Sequence, residues 1–146
     1  MLTKMRWLLF VTLVGPLTFL GCGDENATGP EENGDDIIIK SITPDSGLTP
    51  GIVTDFIVIV EYELTSADSG EVMVGFNTNE VGRFNMISSA TALVVKGSGE
   101  HQFNVTTVPK DWGDTGDFKV YVNLSKHPHG PSWTPLATDI LVLTIN

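Results

Sequence analysis

Alternation with a period of two dominates the chain beyond residue 36. In TDFIVIVEYEL, Thr54 to Leu64, the set Phe56, Val58, Val60, Tyr62 and Leu64 alternates with Ile57, Ile59, Glu61 and Glu63. Successive side chains of a strand point to opposite faces, and the two glutamates assign the second set to solvent, so the segment reads as a half-buried strand. The same reasoning on GDFKVYVNLS, Gly116 to Ser125, turns Phe118, Val120, Val122 and Leu124 inward and Lys119, Tyr121, Asn123 and Ser125 outward. Shorter strands are expected at Ile37 to Ile42, Glu71 to Phe76, Arg83 to Ile87, Ala92 to Lys96, Gln102 to Val108 and Asp139 to Ile145. Between them stand Asp45-Ser46-Gly47, Thr49-Pro50-Gly51, Asp68-Ser69-Gly70, Asn77-Thr78-Asn79, Gly97-Ser98-Gly99 and a proline-rich stretch from Pro128 to Pro135, all turn or loop chemistry. No window sustains a helical stripe. The pattern predicts an all-β domain over residues 37–146, an antiparallel β-sandwich of seven to eight short strands.

The start of the chain departs from this pattern. Lys4 and Arg6 precede an apolar run from Trp7 to Leu20, the charged and apolar regions of an export signal. Those residues reach about 21 Å as a helix, short of the roughly 30 Å hydrocarbon core, and Gly15-Pro16 interrupts the run, so a membrane span is the poorer reading. Phe19-Leu20-Gly21-Cys22 resembles the lipobox of bacterial lipoproteins, with Phe19 where that family usually has Leu. The resemblance implies removal of residues 1–21 as a signal peptide and acylation of Cys22, the single cysteine, as the mature N-terminus. Three acyl chains would then hold the protein to a membrane with a gross anchoring energy on the order of 30 kcal/mol. Gly23, in place of Asp, implies the outer membrane of a bacterial cell envelope, with a periplasmic or surface-exposed domain.

Residues 22–36 comprise Cys22 and the segment GDENATGPEENGDD, which has six acidic residues, no basic ones and no large apolar side chain. Such a composition cannot offset its ordering entropy by burial, which predicts a self-repelling flexible tether. Without residues 1–21 the chain keeps 18 acidic and 6 basic residues, a net charge of −12. No basic stripe exists to displace counterions from phosphate, which argues against nucleic acid as a partner.

Within the domain, DTGDFKV, Asp114 to Val120, resembles the D-x-G-x-Y-x-C start of strand F in immunoglobulin domains, with Phe118 for Tyr and Val120 for Cys. The resemblance implies a bacterial immunoglobulin-like domain in which aliphatic packing replaces the inter-sheet disulfide. On that plan the longest loop, F-G, runs from about Ser125 to Thr138 and carries His127, His129 and Trp133, the candidate ligand-binding residues for a protein or glycan. Trp112 falls in the E-F loop, at the opposite end, so the two rings do not share a platform, and each is expected to fold over an end of the core.

Two places offer metal-ligating side chains. His127, His129 and His101 with Glu100 or Asp68 offer imidazole and carboxylate donors, but the spacing matches no recognised ligand pattern and solvent-exposed histidines are the expectation. Asp111, Asp114 and Asp117, with Asp45, offer oxygen donors, yet turn-capping is the commoner use of such aspartates. No metal and no cofactor are therefore expected. Serine nucleophile elbow, Cys-His pair, phosphate-cradling glycine loop and H-E-x-x-H are all absent from the sequence, so it reads as no enzyme.

Apolar residues on the outward parity, Ile38, Ile57 and Ile59, with others in Ile140 to Ile145, either gather into a partner edge along the first, second and last strands or are covered by the domain's own A-B segment. The sequence thus points to a lipid-anchored, non-catalytic binding or adhesion module, attached to the membrane by its lipid. The alternative is a structural accessory subunit docked on a larger envelope complex.

Overall fold

Side-chain alternation yields five antiparallel strands in the computed structural model, which describes residues 34–80, 83–113 and 116–146. The export segment, Cys22 and the tether up to Asn33 lie outside the described residues, as does Asp114. The strands are β1 (Asp36–Thr43), β2 (Thr54–Glu80), β3 (Arg83–Thr107), β4 (Gly116–Lys126) and β5 (Pro135–Leu143), and the described residues contain no α-helix. Hydrogen bonding follows the order β1-β2-β4-β5, with β3 on β2.

Two of the strands are far longer than any single alternating segment. β2 has 27 residues and β3 has 25, because each runs through two or more of the expected short strands. Their pairing shifts register twice, by one residue between Phe76 and Asn77 and in a wider break between Leu64 and Ser69: Leu64 faces Gly97 and Ser69 faces Val95, so Thr65 to Asp68 oppose only Lys96. Before the break β2 lies between β1 and the second half of β3; after it β2 lies between the first half of β3 and β4. The rings of Phe56 and Phe76, in the same strand, have centroids 4.6 Å apart. Twenty residues of straight strand would separate them by about 66 Å. β2 therefore turns a corner at the break and packs one half against the other. The turn-forming residues at 68–70 and 97–99 make this corner rather than a chain reversal, with Gly97 at φ 115°. Asn77-Thr78-Asn79, expected as a turn, continue β2 in register with β4 and, after a one-residue shift at Phe76/Asn77, paired with β3.

Asp35 fastens the corner. Its carboxylate accepts the backbone N–H of Thr65 at 2.7 Å and of Ser66 at 3.0 Å, and the Ser66 hydroxyl as well. Those polar groups sit where the β2–β3 ladder offers no partner, so the side chain supplies the missing acceptor.

The core is the inward set the alternation picks out. Phe56, Val58, Val60 and Leu64 from the first half of β2 meet Val72, Val74 and Phe76 from the second, with Val120, Val122 and Leu124 of β4. Phe118 completes an aromatic group with Phe56 and Phe76, at centroid distances of 6.4 and 5.8 Å. Burying each such side chain contributes roughly 1.5–3 kcal/mol. Chain ends are tied in by a parallel bridge between Leu48 and Ile145 and by the Asn146 N–H donating to the Leu48 carbonyl at 3.0 Å.

β4 corrects one expectation. Tyr121, Asn123 and Ser125 were assigned to solvent, yet all three are buried. Tyr121 lies across Gly75, its pairing partner on β2, where the missing side chain makes room for the ring. Asn123 Oδ1 accepts the Thr138 hydroxyl at 2.6 Å. β4 is flanked on both sides, by β2 and β5, and its second face is closed by small or hydrogen-bonding neighbours instead of water.

Candidate functional site

The end of β4 positions the histidines. Ser125 pairs with Glu71 of β2, and the ladder extends past the strand: the His127 N–H donates to the Ser69 carbonyl at 3.0 Å, and the Ser69 hydroxyl donates to the His127 carbonyl at 2.7 Å. His127 keeps the parity of Tyr121, Asn123 and Ser125, opposite to the core set, which is also the parity of Glu71 relative to Val72 and Val74. The chain then turns through Pro128, and the His129 ring comes back over β2, with Nε2 3.2 Å from Glu71 Oε1. The two imidazoles stand edge to face, centroids 5.9 Å apart at 82°. Donor atoms of Glu71, His127 and His129 all lie within 4.8 Å of one another. Glu71 and His127 are half-buried and His129 is exposed. Nδ1 of His127 is buried and meets no hydrogen-bond partner among the described residues.

Beside this group lies an open, polar cleft lined by Ser66, Ala67, Asp68, Ser69, Lys96, Lys126 and His127. Lys96, Lys126 and Asp68 therefore share this cleft with His127. No other group of three imidazole or carboxylate donors approaches this closely among the described residues.

Sequence reasoning paired the histidines with the wrong partners. His101 is on β3 opposite Val60, its ring 4.7 Å from Phe103, and Glu100 is ion-paired to Lys40 at 2.7 Å. Neither belongs to the His127–His129 group, whereas Asp68 lines the adjoining cleft. Glu71, which the sequence did not single out, takes that place beside His129. Its outward parity in EVMVGF was visible, but the loop that would fold over it was not. Trp133 stands 47% exposed further along the same loop. Trp112 is half-buried, with Lys110 Nζ 5.3 Å from its ring centroid.

The aspartates weighed for calcium have local occupations. Asp111 accepts the Gly113 N–H at 2.8 Å, Asp45 accepts the Ser46 hydroxyl at 2.9 Å, and Asp117 lies 3.3 Å from the Lys119 ammonium.

The expected isoleucine edge is interrupted. Ile57 and Ile59 do face outward on β2, but their rung partners are Thr43 and Asn104, and Ser41 and Gln102. Ile38, 49% exposed, pairs with Glu61, and Lys40 bridges Glu61 at 2.5 Å and Glu100 at 2.7 Å across the same face. Two carboxylates hydrogen-bond the Lys40 ammonium, Glu100 foremost, and hold its pKa above the ordinary lysine value. The exposed Ile140 and Val142 are on β5, which pairs with β4.

The chain matches no family model and no curated protein sequence.

Proposed function

We propose that this chain is a lipid-anchored protein of the bacterial cell envelope whose immunoglobulin-like β-sandwich serves as a non-catalytic binding or adhesion module. The observation that carries the reading is the single cysteine, Cys22, placed directly after Leu20-Gly21 at the end of an apolar export segment. A thiol there is the acceptor for a thioether to diacylglycerol, and nothing else in the chain offers it a disulfide partner.

Strand order supports the immunoglobulin-like assignment. Counting the halves of β2 and β3 separately gives seven segments. Three run in the order β1, first half of β2, second half of β3, and four in the order first half of β3, second half of β2, β4, β5. In immunoglobulin lettering these are A-B-E and C′-C-F-G, the ABED/CFG plan with the fourth strand moved from beside E to beside C. Phe118 and Val120, which replace the Tyr and Cys of that family's strand F, are both in the core.

Ligand capture is favoured over permanent docking by the surface chemistry. The isoleucines of β1 and β2 alternate with ion-paired and hydroxyl side chains, which is poor material for a dry obligate interface. The F-G loop, by contrast, presents His129 and Trp133 to solvent. Replacement of Cys22 by Ser tests the anchor: the protein is expected to leave the membrane fraction and to lose the acyl mass from its N-terminal peptide. Retention of C22S in the membrane, or an unmodified wild-type thiol, overturns it.

A further inference from the structure

We propose that Glu71, His127 and His129 form a binding site for a divalent transition metal ion of the zinc type, which joins the F-G loop to β2. This inference does not depend on lipid attachment. Two imidazoles and one carboxylate are a donor set for a borderline-soft ion such as Zn²⁺, whereas Ca²⁺ and Mg²⁺ take oxygen ligands in larger number. Ligands about 2.0–2.1 Å from a tetrahedral ion lie roughly 3.3 Å from each other. The separation of 3.2 Å between His129 Nε2 and Glu71 Oε1 already matches that geometry. All remaining separations in the group are within 4.8 Å, so His127 closes onto an ion by small side-chain rotations.

A second observation is independent of these distances. A simple His129–Glu71 hydrogen bond makes no use of His127, yet two hydrogen bonds to Ser69 fix the His127 backbone beside them. Its Nδ1 is nonetheless buried without a partner. Burying an imidazole nitrogen unpaired is costly, and a metal ion bound at Nδ1 of His127 supplies the missing partner. Three protein ligands leave one coordination position for water or for a donor from a bound ligand, with Lys96 and Lys126 in the adjoining cleft suited to an acidic group.

The test is calorimetric titration of ZnCl₂ into the full chain in detergent, with CaCl₂ titrated in parallel. One Zn²⁺ per chain is expected, with no saturable heat from Ca²⁺. His129→Ala and Glu71→Gln should each weaken Zn²⁺ binding by at least about tenfold, and His101→Ala should leave it unchanged. His129 is exposed, so its variant is expected to fold, and an unaltered circular dichroism spectrum checks this. Absence of saturable Zn²⁺ binding, or equal affinity in wild type and H129A, overturns the proposal. So does loss of binding in H101A, because it would place the ion elsewhere.

Discussion

Tyr121 and Gly75 show how one residue's size decides another's environment. A Cβ added at Gly75 would stand 2.6 Å from the Tyr121 ring, and one added at Gly99 would stand 2.6 Å from the Tyr62 hydroxyl. Tyr121 is 5% exposed, with no room to swing, whereas Tyr62 is only half-buried and can turn outward. Gly75→Ala is therefore expected to cost about 1–3 kcal/mol by overpacking, and Gly99→Ala clearly less; urea denaturation of the two variants measures the difference, and equal losses would contradict it. Burial also raises the Tyr121 pKa to about 12. A raised value means that the unfolded chain releases the phenolic proton first. The corresponding stability is fully present below about pH 10 and is lost as pH rises toward 12. Tyr121→Phe should flatten that part of the alkaline stability profile, and an unchanged slope would contradict the buried phenol.

At the scale of elements, the corner in β2 is the organising feature. Asp35 receives the N–H groups of Thr65 and Ser66 there. Burial on its own would raise the Asp35 pKa, but the hydrogen bonds from the Ser66 side chain and backbone and from Thr65 outweigh it and hold the carboxyl below 3.8. A lowered value gives stability that is present above the unfolded pKa and lost as pH falls through the folded one. Asp35→Asn is thus expected to lose about 1 kcal/mol near neutral pH, discounted for solvent screening, and to approach wild type well below pH 4. Urea midpoints at the two pH values provide the check. The inward residues of the first half of β2 are legible in the sequence, because alternation is local and two glutamates mark the outer face. The corner was not legible as a corner: Asp68-Ser69-Gly70 carries the same chemistry whether the chain reverses or bends, and only pairing with β3 separates the two. On β4 the polar set misled, since Asn123 is satisfied by Thr138 rather than by water.

For the whole molecule, β2 and β3 pass without interruption through both halves of the structure. Side chains from both halves pack into one core. Unfolding should therefore be a single cooperative transition, with far-ultraviolet circular dichroism and tryptophan fluorescence coincident in urea; two separated transitions would show that the halves are independent. Phe76, fully buried between Phe56 and Phe118, belongs to both, and Phe76→Ala should lower stability by about 3–5 kcal/mol without splitting that transition. The amino-acid sequence by itself determined the all-strand class and the inward sets of Thr54–Leu64 and Gly116–Ser125, and it alone carries the proposed export and acylation motif, because each is written in residues close together along the chain. The tertiary structure alone decided that one strand would serve two halves, that polar residues of β4 would be covered, and that Glu71 would meet His129 from 58 positions away. Those outcomes rest on contacts between distant segments, whose register is set by the packing of the core and not by any local pattern.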